Sequence, residues 1–340
     1  MSAIIVVDAF WGDSGKGKIA AYLAARHSAA FCVRAGTGTN AGHSVYFEDK
    51  PGIRTHQLPC GFLCPETQVR VGSGVALDPE QFFAELERLD PEHNLSERTL
   101  VDFRCPLILP EYRRREAADV HLRHTVGSVA SGTGVARAEF VLRRARQAGK
   151  SPRLQGFTTD VARELNSACG TGSTVVIEGS QGTHLSLALS GDYPYCTSDN
   201  CTTAAFVDDV GLNWQHISDA VLVVKALPSR VGAGPLPHQL DQREEEERGI
   251  VEYGVTTGRR RRKAAAISWP HLEEAVILNG PTQIALTFCD HLAPGVRGAR
   301  SRSQLTRPVR RLIEEIETRF QVPVTLCDCG RYFEDIVDLA

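Results

Sequence analysis

The sequence has no apolar run near the ~18 residues that a membrane-spanning helix needs; stretches such as residues 4–7 and 221–224 are among its longest. A spanning helix is excluded. The N-terminus has no basic flank and no small-residue cleavage site, so no secretory signal is read there and a cytoplasmic location is expected. Charge of one sign is also scarce: 38 Lys and Arg stand against 41 Asp and Glu, a formal charge of −3. No nucleic-acid partner is expected, and any anion site must be local. Ten cysteines in 340 residues fall short of a disulfide scaffold. Neither Cys60 with Cys64 nor Cys327 with Cys329 has the spacing and the second pair that would make a zinc site. No repeat, low-complexity tract or linker divides the chain, so residues 1–340 are read as one domain with loop excursions.

Short β-branched runs recur at 4–7, 69–71, 174–178, 221–225, 284–287 and 322–326, separated by segments with helical spacing at 79–89, 135–147 and 308–320. The pattern predicts an α/β fold, a mainly parallel central sheet flanked by helices. The acidic run at 244–247 reads as a solvated helix face.

After the first strand comes Gly12-Asp13-Ser14-Gly15-Lys16-Gly17-Lys18-Ile19, followed by an Ala-rich helical segment at 19–30. Strand, glycine loop and helix follow in the order a P-loop-like phosphate site requires: glycines let successive N–H groups turn inward, and the helix N-terminus adds partial positive charge. A turn that binds nothing would leave Lys16 and Lys18 repelling each other. Ile19 stands where an ordinary P-loop has the hydroxyl that ligates Mg²⁺. Asp13 is therefore the candidate metal ligand, placed beside a transferring phosphoryl group.

With Trp11 in front, this loop resembles the WGDEGKGK signature of the adenylosuccinate synthetase family. Further motifs follow in that family's order: Asn40-Ala41-Gly42-His43-Ser44, Glu178-Gly179-Ser180-Gln181-Gly182-Thr183, Tyr193-Pro194-Tyr195-Cys196-Thr197-Ser198, Arg230-Val231-Gly232-Ala233-Gly234-Pro235, and Gly254-Val255-Thr256-Thr257-Gly258-Arg259-Arg260-Arg261-Arg262. Three departures stand out. Ser14 replaces the family's Glu, the base motif TKLD appears as Thr287-Phe288-Cys289-Asp290, and the chain is shorter than the usual cellular member. Together they resemble the family's viral diaminopurine branch, the 2-aminoadenylosuccinate synthases of phage.

That resemblance implies a carbon–nitrogen ligase joining L-aspartate to the 6-position of dGMP at the expense of ATP or dATP, with Mg²⁺, in the host cytoplasm. The ordinary reaction, with inosinate and GTP, is the alternative; a nucleotide-binding switch has no use for an aspartate site. The resemblance assigns catalysis to Asp13, His43, Lys16 and Gln181. Asp13 would take the N1 proton and His43, with an ordinary pKa near ~6.5, would act as acid at O6. Metal ligation falls to Asp13 and the Gly42 carbonyl. The triphosphate would lie on Gly12, Ser14, Gly15, Lys16, Gly17, Lys18, Gly42, His43, Ser44, Thr287 and Asp290, its base stacked on Phe288. The deoxyguanylate would contact Asp13, Ser14, Asn40, Ser128, Val129, Gln181, Thr197 and Gly232, with Ser128 or Ser131 the substitute for the family's Thr at Val129. Arg143 or Arg144 would reach across a homodimer. Val255, Thr256, Thr257, Arg259 and Arg261 would read the carboxylates of aspartate; alternation in an extended loop would turn Arg260 and Arg262 away from them. The small Ser14 hydroxyl could accept a hydrogen bond from a guanine 2-amine.

Overall fold

The computed structural model describes residues 2–254 and 258–340, and its apolar runs become neighbouring strands of one sheet. In chain order these are β1 (Ala3–Asp8), β2 (Phe31–Arg34), β3 (Gln68–Val71), β4 (Thr99–Asp102), β5 (Thr158–Thr159), β6 (Val175–Glu178), β7 (Ile217–Lys225), β8 (Gln283–Thr287), β9 (Val324–Asp328) and β10 (Ile336–Asp338). Their spatial order is β10-β9-β8-β7-β1-β6-β2-β3-β4-β5. All pairs are parallel except β9 with the edge strand β10.

A parallel sheet is covered on both faces, which is why its central strands are unbroken apolar runs rather than alternating ones. Alternation still sorts the side chains. Ile5 and Val7 join Val33, Ile177, Leu222 and Leu286 on one face, under the helices Val161–Gly170, Thr203–Val210, Trp269–Asn279 and Arg307–Phe320. Ile4 and Val6 join Val176, Val221 and Val223 on the other, under Ile19, Ala20, Leu23 and Ala24 of α1 (Lys16–Arg26). Each fully buried aliphatic side chain contributes roughly 1.5–3 kcal/mol. The small alanines let α1 lie close on β1 and hold the glycine loop at the carboxyl edge of the sheet.

The strand and helix expectations hold in outline, with differences at their ends. Strands β2, β4, β5 and β10 were not expected: they are two to four residues long, too short to show a period. The helix expected at 135–147 runs Thr133–Val141. It stops because Arg143 takes a left-handed φ of 60° and the chain then pairs with the 105–107 segment, Leu107 N–H donating to Arg146 O (2.8 Å) and Ala148 N–H to Cys105 O (2.9 Å). In the short helix Gln242–Glu247, Glu245 is buried, not solvated, and accepts from Arg260 Nε (3.0 Å) and Lys263 N (3.1 Å).

Candidate active site

Each central strand ends its apolar run with a buried polar side chain at the same edge of the sheet: Asp328, Thr287, Lys225, Asp8, Glu178 and Arg34, reading across from β9 to β2. The carboxyl ends of a parallel sheet are where such folds bind ligands. The glycine loop crosses this edge. Gly12, Asp13 and Gly15 have φ of 86°, 56° and 84°. α1 begins at Lys16 with no side-chain cap and no acidic residue in its first turn, so its N-terminus keeps the positive end of its dipole for an anion. Gly17 is tightly packed: a Cβ there would sit 2.8 Å from both the His43 Cβ and the Cys60 Sγ.

The loop lysines do not repel each other, contrary to the expectation above. Lys16 Nζ donates to Asp8 Oδ2 (3.1 Å) and the Gln181 carbonyl (2.5 Å). Lys18 Nζ donates to Asp328 Oδ1 (2.7 Å) and the Gly330 carbonyl (3.1 Å). Each has its own buried carboxylate, and burial raises the Asp328 carboxyl despite that pairing. From the far side Thr287 Oγ1 donates to the Ser14 carbonyl (2.8 Å) and Lys225 Nζ to the Asp13 carbonyl (2.9 Å).

The Asp13 carboxylate meets the Arg261 guanidinium, Nη2 at 2.9 Å from Oδ1 and Nε at 2.8 Å from Oδ2. Two groups expected in different roles are thus one ion pair. Arg260 turns to Glu245 and Glu246, and Arg262 to the Gly234 carbonyl and Gln239. Arg259 does not share the Arg261 anchor; it reaches the Gly127 carbonyl (3.4 Å) and lines a cavity of about 680 Å³ with Thr39, His56, Asp78, Arg113, Val129 and Ser131. Val255, Thr256 and Thr257 lie outside the described residues.

His43 is buried between Arg34 and Glu178: its Nδ1 is 2.5 Å from Glu178 Oε1 and 2.6 Å from Arg34 Nη1. Burial, with the Arg34 charge beside it, lowers its pKa to about 4 rather than leaving it near ~6.5. The imidazole is therefore neutral at neutral pH. Cys60 completes a buried group with His43 and Glu178, their ligand atoms within 4.8 Å of one another. Sulfur and nitrogen donors beside an arginine do not suit Mg²⁺, which takes oxygen ligands. Asp13 and the Gly42 carbonyl offer such oxygens, and Asp13 is partly exposed at the uncapped helix end.

Asn40 and Thr197 do come together, Asn40 Nδ2 donating to Thr197 Oγ1 (3.1 Å). Ser128 Oγ donates to Glu116, and the Gly232 carbonyl accepts from Arg262. The Ser14 and Ser44 hydroxyls are buried without a hydrogen-bond partner, a condition shared by Thr99 and Thr306 elsewhere in the chain. Asp290 pairs with Arg297 (3.3 Å). The Phe288 ring already carries Lys225 Nζ 4.1 Å from its centre, so one of its two faces is covered by a cation.

Residues 5–151 and 145–297 match the profile of the adenylosuccinate synthetase family. The adenylosuccinate synthetase of Thermococcus onnurineus is 41% identical over 99% of this chain and 98% of its own length. The chain belongs to the adenylosuccinate synthetase family. The Archaeoglobus fulgidus member is 39% identical over 100% of this chain and 98% of its own. Among solved structures, the fully ligated synthetase of Plasmodium falciparum superimposes with a TM-score of 0.89 at 20% identity, covering 99% of this chain and 100% of that one, a likeness of fold. The succinoaminodeoxyadenylate synthetase of cyanophage S-2L, bound to dGMP and to dATP as an energy donor, gives 0.82 at 26% identity over 99% of this chain and 95% of that one. Family members of archaea thus match this chain end to end, so its shortness is no mark of the viral branch. Membership makes the chain a ligase-type enzyme of purine biosynthesis with an α/β fold. No helix among the described residues is long and apolar enough to cross a membrane.

The family motifs named Asp13, His43, Lys16, Lys18 and Arg261, but not their partners Asp8, Arg34, Asp328, Lys225 and Glu252. A signal was present: IIVVD, FCVR, VLVVK and TLCD each end an apolar run with a charge.

Proposed function

We propose that this family member is an adenylosuccinate synthetase, joining L-aspartate to the 6-position of inosinate with GTP hydrolysis and Mg²⁺. The observation that carries this reading is the Asp13–Arg261 pair in the glycine loop that leads into an uncapped helix N-terminus: a candidate carboxylate base and a candidate fork for carboxylates are one ion pair, three residues ahead of a helix end suited to phosphate. The purine 6-oxygen is a poor leaving group and must first be phosphorylated. Asp13 takes the N1 proton, O6 attacks the γ-phosphorus as the bond to the diphosphate oxygen breaks, and the amine of aspartate then displaces phosphate from C6. Arg261 must leave Asp13 for this, and the carboxylates of aspartate are the groups that would receive it. His43, neutral in its pocket, would turn from Arg34 to hydrogen-bond O6 rather than lend it charge. Mg²⁺, held by Asp13 and the Gly42 carbonyl, would offset charge on the transferring phosphoryl group. Asn40 and Thr197 would hold the nucleotide phosphate, with Gln181, Ser128, Val129 and Gly232 around the nucleoside. Arg143 would complete that site in a homodimer; it follows Val141 and Leu142, which are 68% and 53% exposed, an apolar edge suited to a second copy.

A second reading rests on Ser14, whose buried hydroxyl lacks a partner. A guanine 2-amine could satisfy it, and Phe288 replaces the lysine of the base motif, which favours dGMP with ATP or dATP. Purified protein with aspartate and Mg²⁺, offered inosinate or dGMP with GTP, ATP or dATP, separates the two by the mass of the product. Turnover of inosinate with GTP is expected; exclusive turnover of dGMP would establish the second reading, and no aspartate adduct with any pair would refute both.

A further inference from the structure

Glu252 belongs to no motif, yet more cations converge on it than on any group described above. Its carboxylate lies 2.9 Å from Lys225 Nζ, 3.1 Å from Lys263 Nζ and 3.4 Å from Arg261 Nη1; the His291 imidazole, its pKa lowered by burial to about 4, stands 3.6 Å away as a neutral neighbour. Lys225 and Lys263 are almost wholly buried, so neither can exchange this carboxylate for water. The cations hold Glu252 well below the usual carboxylate range although burial pushes it up; it is an anion in the folded protein.

The backbone around it is equally constrained. Arg261 N–H donates to the Glu252 carbonyl (2.9 Å), Gly254 N–H to the Arg259 carbonyl (2.8 Å), and Tyr253 bridges Arg260 antiparallel. Residues 252–254 and 259–261 are therefore the two legs of one arm, which carries Arg259 and Arg261. Lys225, at the end of β7, reaches in two directions: to Glu252, and to the Asp13 carbonyl at 2.9 Å. Arg261 also reaches in two, to Glu252 and to the Asp13 carboxylate. Glu252 thus closes a ring of contacts, Asp13 to Lys225 to Glu252 to Arg261 and back to Asp13.

We propose that Glu252 is a positioning residue for aspartate ligation: its carboxylate ties the arm carrying Arg261 to Lys225 at the sheet edge, and so sets where Arg261 stands relative to Asp13. The proposal rests on the reading of Arg261 as a carboxylate fork. When aspartate draws Arg261 away from Asp13, Glu252 keeps the guanidinium within a short reach instead of releasing it to solvent. Without that tether, among the described residues no other carboxylate faces the Arg261 guanidinium once it leaves Asp13.

The test uses the full-length protein and the nucleotide pair on which the wild type is active. In Glu252→Gln the tether loses its charge but keeps its shape. The expected result is a KM for aspartate raised about tenfold, the cost of a misplaced binding group, with both nucleotide KM values within about twofold of wild type. Glu252→Asp, which restores the charge, should recover part of the aspartate KM. Lys263→Met removes a cation that touches Glu252 but not Asp13, and should leave the aspartate KM within about twofold. An unchanged aspartate KM in Glu252→Gln overturns the proposal. So does an equal rise in all three KM values, or an effect of Lys263→Met as large as that of Glu252→Gln, since either describes general loosening. If Glu252→Gln does not fold, Glu252→Asp decides: a raised aspartate KM alone supports the tether, and wild-type constants overturn it. Failure of the wild type to consume aspartate with any nucleotide pair would instead defeat the functional reading on which the tether depends.

Discussion

Replacing Asp13 by Asn separates the chemistry from the fold. The Asp13 side chain is 23% exposed and meets Arg261 at two points. Asparagine keeps one oxygen for the guanidinium and turns an amide N–H₂ toward its other nitrogen, so one charge-assisted contact is lost. At that exposure the loss is worth about 1 kcal/mol or less, which in a chain of this size moves Tm by no more than about 2 °C. Catalysis should suffer far more. An amide cannot take the N1 proton, and loss of a positioned general base costs about 10²–10⁴ in rate. The KM for aspartate should not rise, because the internal carboxylate that competes for Arg261 has lost its charge. Steady-state phosphate release and thermal unfolding, measured on the same preparation, give all three quantities. Turnover within about tenfold of wild type would refute the base assignment, and a raised KM for aspartate would refute the shared use of Arg261.

Asp8→Asn would leave the buried Lys16 ammonium facing an amide donor, at an expected cost of about 3–5 kcal/mol; Asp8→Asn with Lys16→Met should recover most of it in a denaturant-unfolding cycle. Gly17→Ala places a methyl 2.8 Å from the His43 Cβ and Cys60 Sγ, so overpacking of about 1–3 kcal/mol should outweigh the ~1 kcal/mol gained in helix propensity, and an unchanged midpoint would contradict the close approach. Asp209 accepts the Gly36 N–H (2.9 Å) in a buried setting that raises its pKa to about 7. A raised carboxyl binds protons more readily folded than unfolded, so its contribution is complete below pH ~4 and is lost as pH rises to about 7. Stability curves of wild type and Asp209→Asn should therefore diverge across that window, the variant gaining on wild type as pH rises, and parallel curves would refute the shift.

The central strands were legible because a parallel strand covered on both faces must be apolar along its buried length, and residues 4–7, 221–224 and 284–286 are. The edge strands were not: Thr158–Thr159 and Ile336–Asp338 are held by neighbours, not by a pattern of their own. The helix expected through 147 overshot because apolar spacing cannot register a left-handed turn at Arg143 made by pairing with residues 105–107. At the site, motif residues were readable from the family resemblance, whereas their partners lie 8 to 310 positions away, from Asp8 for Lys16 to Asp328 for Lys18. No local spacing encodes such pairs. The charge ending each strand did, but only once the strands are known to lie side by side.

Those strand-end charges decide how the loop can hold a polyphosphate. Lys16 is 3% exposed and Lys18 4%, and each already has a carboxylate partner. Neither is a loose cation waiting for an anion. On the proposed reading, a phosphate arriving at α1 would meet first the N–H groups of an uncapped helix turn, and it would gain Lys18 only by displacing Asp328, whose carboxyl burial already disfavours as an anion. That exchange is close to balanced: one anion leaves the ammonium as another arrives, and the desolvation cost of the lysine is met before the ligand binds. The same logic joins Asp13 to Arg261, where on the proposed reading the carboxylates of aspartate would take the place of an internal one. Pairing each binding cation with an internal carboxylate keeps the crowded edge of the sheet stable, and it confines ligand binding to anions that can replace those carboxylates geometrically.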